Sequence, residues 1–186
     1  MTRSLAWQAA TVDVETVPPQ GLAVSLDAGA PERAAIAERL GIPGVEAVTA
    51  SFTLRPFAGD ATEVRGVVQA TLVRTCVVTD EPMTEAIDEA VTCLIVSEEP
   101  AEAEEEDPDE PDYEVAPDGI VDLADLAEQY LALAMTSYPR RPEADAELAA
   151  LQPRMADDGA GTDNPFAALG QRLKGKPGAG EGGTDG

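Results

Sequence analysis

The chain has 186 residues, with 36 acidic and 12 basic side chains, no histidine and a formal net charge of −24. This length suits one domain with flexible ends, and so acidic a chain as a whole is poorly suited to neutralising nucleic-acid phosphates. No apolar run approaches the roughly 18 residues of a membrane-spanning helix, and the first residues lack the apolar segment of a signal peptide. We therefore expect a cytoplasmic protein.

The first fifty residues predict two strands and a helix. Val12 and Val14 alternate with acidic residues, which predicts a strand within residues 7–17, and a second short strand is expected over 22–26. A helix is predicted to begin at Pro31, where the missing N–H costs nothing, and to end at Gly41.

The middle of the chain carries the strongest strand pattern. Apolar residues alternate with polar ones over 48–54, 64–76 and 87–95. This period of two predicts an antiparallel sheet with one buried face. Residues 80–83 are expected to form the hairpin loop between the second and third of these strands.

An acidic run and an amphipathic helix follow. Residues 98–114 include eleven acidic side chains and no basic one, so residues 98–118 are predicted to be a disordered loop. A helix is then expected over 122–137, capped by Asp122 and stopped by Pro139. A second short helix is expected from Asn164, before a disordered Gly-rich tail.

Together these patterns predict an α+β fold, in which an antiparallel, partly barrel-like sheet packs against one main amphipathic helix. Residues 1–152 would form a single domain with a flexible acidic insertion at 98–118. Residues 153–186 would form a linker, the short helix and the tail.

Signs of catalysis or of a bound metal are few. The chain lacks a histidine to act as general base, and it has neither a Gly-rich phosphate loop nor a nucleophile elbow. Cys76 and Cys93 are too few for a four-ligand zinc site without histidine, and they are expected to be buried thiols. A magnesium-dependent nuclease built from clustered carboxylates is the enzymatic rival. No such cluster lies on well-predicted secondary structure, so we expect neither an enzyme nor a cofactor.

Five short motifs carry a resemblance to a known family. Residues 74–82, RTCVVTDEP, resemble the strand and turn of YceD-like proteins, a family named for large-subunit ribosomal RNA accumulation. The other four motifs follow the family order, and the resemblance covers about residues 45–170. These motifs are RGVV at 65–68, IVDL at 120–123, YPRRP at 138–142 and NPFAAL at 164–169.

The resemblance implies a non-enzymatic role in the accumulation or processing of large-subunit (23S) ribosomal RNA. In bacteria, relatives are often encoded beside a small basic ribosomal protein of that subunit. Some relatives carry a second cysteine soon after the first. Here Val77, Val78 and Thr79 occupy those positions, which argues against a metal role.

Two kinds of partner are compatible with this role. An aromatic beside arginines could stack on a base and hold phosphate, although the arginines could equally favour a helix end and be otherwise solvated. The candidate RNA contacts are Arg65, Arg74, Tyr138, Arg140 and Arg141.

Alternatively, the acidic run could bind a basic ribosomal protein, so that the chain acts as a chaperone or adaptor without RNA contact. A purely solubilising loop is the simpler interpretation of the same run. The candidate partner-binding residues are Glu104, Glu105, Glu106, Asp107, Asp109 and Glu110. No membrane or DNA partner is expected.

Overall fold

A computed structural model describes residues 2–98, 112–144 and 146–149. The chain divides into two compact units, Met1–Arg141 and Pro142–Gly186, and every strand and helix named below belongs to the first. The six candidate acidic residues between 104 and 110, the short helix predicted from Asn164 and the Gly-rich tail lie outside the described residues.

The described elements form an α+β fold. In chain order they are β1 (Thr2–Ala6), β2 (Thr11–Asp13), β3 (Leu22–Asp27), α1 (Ala30–Leu40), β4 (Gly44–Pro56), β5 (Thr62–Thr75), β6 (Pro82–Val96), β7 (Asp112–Val115), β8 (Ile120–Asp122) and α2 (Leu123–Ala134). Single 3-10 turns at Trp7–Ala9 and Val14–Thr16 flank β2. Among these elements no helix is long and apolar enough to cross a membrane.

Six strands form one open sheet in the order β1-β3-β4-β5-β6-β7, and β2 pairs with β8 in a separate two-stranded sheet. The pairings β3–β4, β4–β5 and β5–β6 are antiparallel, whereas β1–β3 and β6–β7 are parallel. The prediction of a partly barrel-like sheet was wrong. A barrel requires its edge strands to pair with each other, and in the described chain the short edge strands β1 and β7 each pair on one side only.

One face of the sheet forms the core, as the alternating pattern predicted. Val64, Val68 and Leu72 of β5 are fully buried, and Val91 and Ile95 of β6 lie beside them. Helix α2 packs on this inner face against β5 and β6, and α1 packs against β4. On the opposite, outer face, many side chains of the central strands are small or polar and partly or fully exposed.

The first strand prediction was only partly right. Residues 7–17 contain the three-residue strand β2 rather than one long strand, and Trp7 is buried at the start of the preceding 3-10 turn. Strand β1 was not predicted, because its sequence TRSLA lacks apolar alternation. It forms by parallel pairing with β3 at the sheet edge, where Ser4 lies opposite Ser25. In contrast, α1 begins beside Pro31 and ends at a left-handed Gly41, as predicted.

The prediction of disorder over 98–118 was wrong for its last part. Asp112–Val115 form β7, which pairs with the end of β6. The backbone of Gly119, which follows with a φ of +70°, is hydrogen-bonded to Val14 and Ala116. Charge and proline content favoured disorder in this segment, but the hydrogen bonds offered by β6 outweigh that local preference.

Candidate functional site at the strand–helix junction

The residues 74–82 and 138–142, which stood out in the sequence, meet in the fold. The N–H of Val77 donates to the carbonyl of Pro139 at 3.0 Å. The N–H of Arg141 donates to the Sγ of Cys76 at 3.4 Å, across a sequence separation of 65 residues. We call this region the strand–helix junction. It consists of the turn 76–81, the segment 135–141 and the ion pair between Arg74 and Glu85 that lies beneath them.

The turn of the junction occupies residues 76–81, not the predicted 80–83. Thr75 of β5 lies directly opposite Pro82 of β6, so Pro82 and Met83 already belong to the strand. The N–H of Cys76 donates to the carbonyl of Glu81 at 2.9 Å. Asp80 takes up a left-handed conformation with a φ of +54°, which Asp tolerates better than most residues.

The segment of the junction begins where α2 ends. The helix stops at Ala134 and Met135 is extended, so the predicted helix over 122–137 ends three residues early and before Pro139 could stop it. The N–H of Thr136 donates to Glu85 Oε1 at 2.8 Å, and its carbonyl accepts from Arg74 Nη2 at 3.0 Å. The backbone groups of Thr136 therefore bond to side chains of β5 and β6 instead of to other backbone groups of a continuing helix.

The ion pair beneath the junction is buried. Arg74 Nη1 lies 2.5 Å from Glu85 Oε2, and the two side chains are only 10% and 11% exposed. Because the same two side chains also hold both backbone groups of Thr136, they fasten the chain after α2 to the sheet. This placement favours a structural role for Arg74 over contact with a ligand.

The other candidate RNA contacts differ in their surroundings. Tyr138 is 73% exposed, and Arg140 is exposed two residues later. Arg141 forms an ion pair with Glu81 and is 26% exposed. Arg65 is exposed, with its guanidinium 2.7 Å from Glu63.

The structure thus brings four of the five candidates together at the junction and leaves Arg65 apart. Arg65 lies nine positions from Arg74 on β5, which at about 3.3 Å per residue is about 30 Å. It lines a shallow cleft of about 460 Å³ together with Thr53, Arg55 and Glu63.

The Cys76 thiol lies within a set of hydrogen-bond donors. It is fully buried, although it lies outside the main core cluster. The hydroxyl of Thr79 and the N–H of Arg141 stabilise the thiolate and lower the pKa of Cys76 to about 7, with the N–H groups of Val78 and Thr79 contributing further. Thr79 Oγ1 is buried and has no hydrogen-bond partner within the described chain, so its hydroxyl is available to the neighbouring Cys76 thiolate.

The pKa of Cys93, in strand β6, is shifted in the opposite direction from that of Cys76. Burial, with a smaller contribution from the nearby carboxylate of Glu114, raises its pKa to about 11. Among the described residues no group of three or more His, Cys, Asp or Glu side chains could hold a metal ion.

The difference between the two cysteines predicts selective alkylation. With iodoacetamide, the labelling rate of Cys76 should rise with pH and level off with a midpoint near pH 7, whereas Cys93 should remain unlabelled below about pH 10. The expected pH midpoint of Cys76 labelling stays the same even if the turn 76–81 must open before the thiol can react. The ratio of open to closed thiolate does not depend on pH, so the rate follows the thiolate fraction of the closed state. Peptide mass spectrometry distinguishes the two sites.

The matched variants for this prediction are at Thr79. Thr79→Ala removes the hydroxyl that contributes most to the lowered pKa, so the Cys76 midpoint should move upward. Thr79→Ser retains the hydroxyl and should keep it near 7. A Cys76 midpoint of 8.5 or above in the unmodified chain, the ordinary range of a free thiol, would contradict the proposed donor set.

Sequence reasoning missed Glu85, Thr136, Thr79 and Glu81, which complete the junction. A signal existed for Glu85 only. It alternates onto the inner face together with Ile87 and Val91, as Arg74 does in β5, and two opposite charges on one buried face indicate an ion pair. Nothing in the local sequence marks Thr136, and although Thr79 and Glu81 lie within the motif at 74–82, nothing in that motif assigns them a role of their own.

The chain was compared with known protein families, curated proteins and solved structures. Neither the curated proteins nor the solved structures contain a match to the chain. Residues 64–172 match the family model described as large ribosomal RNA subunit accumulation protein YceD. The match begins in β5 and includes the junction, β7 and α2, whereas β1 to β4 and α1 precede it. Because it covers more than half of the sequence, the chain belongs to the YceD family of large ribosomal RNA subunit accumulation proteins.

Proposed function

We propose that this protein is a non-enzymatic factor that supports accumulation of the large-subunit (23S) ribosomal RNA by contacting its precursor at the strand–helix junction. The observation that carries the proposal is the exposed Tyr138 beside the exposed Arg140. The backbone is anchored between them, at Pro139 to Val77, and directly after Arg140, at Arg141 to Cys76. An exposed aromatic ring and an exposed guanidinium on an anchored backbone are suited to stack on a base of a single-stranded segment and to hold a phosphate.

The geometry also limits how much RNA this chain can bind. Several described arginines pair with the chain's own carboxylates: Arg39 with Asp125 and Glu128, Arg65 with Glu63, Arg74 with Glu85 and Arg141 with Glu81. A charge of −24 repels phosphate elsewhere. A small contact that relies on stacking therefore fits better than an extended basic groove.

Removing the exposed aromatic should weaken this contact. Base–aromatic stacking contributes about 1–3 kcal/mol per base, so Tyr138→Ala should reduce recovery of large-subunit precursor RNA in a crosslinking and sequencing experiment by about fivefold or more. Arg140→Glu should also reduce it. If Arg140 neutralises one phosphate, Arg140→Ala should lower the slope of log affinity against log salt by about 0.7, the value for a single strand.

Arg3→Glu is the control for Arg140→Glu, because it makes the same charge change on the exposed edge strand β1. If Arg3→Glu reduced RNA recovery as much as Arg140→Glu, net charge rather than the junction would explain the loss. If Tyr138→Ala and Arg140→Glu both recovered wild-type amounts of RNA, the proposed contact would be wrong.

The second candidate function, an adaptor for a basic ribosomal protein, is favoured by the same charge distribution. Carboxylates exceed cations threefold, with 36 against 12, and a strongly anionic surface attracts cationic partners. Recovery of a large-subunit protein with both Tyr138→Ala and Arg140→Glu chains, at wild-type levels and without RNA, would support this alternative.

A further inference from the structure

The edge strand β7 leaves hydrogen-bonding groups available along the open side of the sheet. The N–H of Ala116 donates to the carbonyl of Val96 at 2.8 Å, across the β6–β7 pair. Because successive residues of a strand direct their backbone groups to opposite sides, those of Asp112 and Glu114 face β6. The backbone groups of Tyr113 and Val115 therefore face outward, and no described strand pairs with that side of β7.

Apolar side chains lie beside this open edge. Tyr113 lies opposite Leu94, and Val115 lies opposite Val96. Cys93 and Ile95, which alternate with these β6 residues, are buried in the core, so the four side chains share the outer face of the sheet. Tyr113 is 47% exposed and Val115 is 38% exposed. A strand added to β7 would thus gain both hydrogen bonds and apolar contact.

An acidic cleft opens on the other face of β7, towards β8 and the beginning of α2. It has a volume of about 180 Å³, below the about 300–1,000 Å³ typical of small-molecule sites. Its carboxylates are Glu114, Asp122 and Asp125, and Ile120 and Leu126 contribute apolar walls. This combination suits the aliphatic stem and charged head of a lysine or arginine.

The three carboxylates of the cleft differ in the hydrogen bonds and ion pairs that they already form within the chain. Asp122 caps α2 by accepting the N–H of Ala124 at 2.9 Å. Asp125 accepts from the Gln129 amide at 3.0 Å and lies 3.6 Å from Arg39. Glu114 has no cation within ion-pair distance in the described chain, so it retains the most capacity to attract one.

We propose that β7 is the docking edge for an extended cationic segment of another protein, which pairs with the sheet as an added strand and places a lysine or arginine in the acidic cleft. The inference concerns a surface distinct from the junction, and it does not depend on the RNA contact proposed at Tyr138 and Arg140. Addition of a strand to an open sheet edge is a recurrent mode of peptide recognition. Backbone bonds supply affinity and side-chain pockets supply specificity.

Charge identifies the class of occupant. The described acids on and around the edge are Glu98, Asp112, Glu114, Asp118, Asp122 and Asp125. They would repel the phosphates of RNA, and they would equally repel a second copy of this chain, which carries a charge of −24. A cationic polypeptide could pair with the backbone of β7, contact the apolar side chains on the outer face and place a basic side chain in the acidic cleft.

The test uses the full-length chain and a short peptide of alternating lysine and valine as the probe, with alternating glutamate and valine as the control peptide. The lysine peptide should slow amide hydrogen exchange at Tyr113 and Val115, measured by NMR, with a smaller change at Asp112 and Glu114, whose amides already face β6. The glutamate peptide should leave all four unchanged. Protection at Tyr113 and Val115 in the unmodified chain is a readout that requires no variant to fold.

Two variants test the backbone and the charge separately. Val115→Pro removes an outward N–H without removing a bond to β6, and it should weaken probe binding at least about tenfold. Glu114→Gln removes the available charge of the cleft and should weaken binding about threefold to tenfold. Glu46→Gln makes the same charge change on an exposed residue of β4, three strands away from β7, and should leave binding unchanged. Tyr113→Lys serves as a second edge variant if Val115→Pro does not fold.

Several results would overturn the proposal. One is no binding of the lysine peptide, and another is binding without protection at Tyr113 and Val115. Equal weakening by Glu46→Gln and Glu114→Gln would show attraction by net charge alone. Protection of the same amides by single-stranded RNA, or by raising the protein concentration without peptide, would assign the edge to RNA or to a second copy. Large-subunit RNA recovery in cells tests the proposed function separately, so the two can fail independently.

Discussion

Replacing Arg74 with methionine is expected to lower the free energy of unfolding by about 3–5 kcal/mol, the usual cost of removing one partner from a buried ion pair. The change leaves Glu85, which is 11% exposed, without the guanidinium 2.5 Å away. It also removes the donor to the carbonyl of Thr136. Chemical denaturation followed by circular dichroism measures the loss.

Two further chains show whether the buried pair is the cause. Arg65→Met makes the same substitution at an ion pair whose arginine is 67% exposed, and it should cost about 1 kcal/mol or less. The double variant Arg74→Met/Glu85→Met replaces the pair with apolar side chains and should recover most of the stability. A cost at Arg74 no larger than that at Arg65 would show that the buried pair contributes little.

The same buried pair affects how RNA-binding experiments should be interpreted. Arg74 and Glu85 fasten Thr136 to the sheet, and Tyr138 follows two residues later. A variant at Arg74 is therefore expected to reduce RNA recovery by releasing the segment 135–141, even though its side chain is buried. Variants at Tyr138 and Arg140 test the proposed RNA contact directly, because both side chains are exposed.

Much of the central sheet could be predicted from the sequence, because period-two alternation reflects burial of one face. The alternation over residues 64–76 predicted the inner face of β5 correctly, with Arg74 among its buried residues, and Cys76 is buried in the turn that follows the strand. The alternation in β6 likewise predicts that Glu85 points to the same inner face, because it lies two residues before Ile87. Alternation cannot identify which inward charge pairs with which, since that depends on the register between β5 and β6.

The edges and ends of the fold could not be predicted, because their stability comes from neighbours rather than from their own pattern. Strand β1 exists because β3 offers it hydrogen bonds, and β7 exists because β6 does. Helix α2 ends at Ala134 because Glu85 and Arg74 bind the backbone of Thr136. The contact between Cys76 and Arg141 closes a separation of 65 residues, which no local sequence pattern encodes.

Replacing Gly66 with alanine is expected to destabilise the protein by about 3 kcal/mol or more, the upper range for added bulk in a packed core. A Cβ at this position would lie 2.2 Å from the carbonyl oxygen of Ser51 and 2.6 Å from Cδ1 of Phe52. Phe52 lies directly opposite Gly66 in the β4–β5 pair and is 2% exposed, so its ring has little room to move. Thermal or chemical denaturation measures the effect.

Gly44→Ala is the matched control, because Gly44 is also a strand glycine of the β4–β5 pair. Its Cβ would meet nothing closer than 3.6 Å, the Cγ2 of Val73. Alanine there should be neutral or stabilise by about 0.5 kcal/mol through lower backbone entropy in the unfolded chain. Adding Phe52→Leu to Gly66→Ala relieves the ring contact but not the contact with the Ser51 carbonyl, so recovery should be small. Full recovery would mean that the side chain alone excludes a Cβ. Little recovery would mean that the close approach of the two strands explains why the RGVV segment of this chain has glycine at position 66.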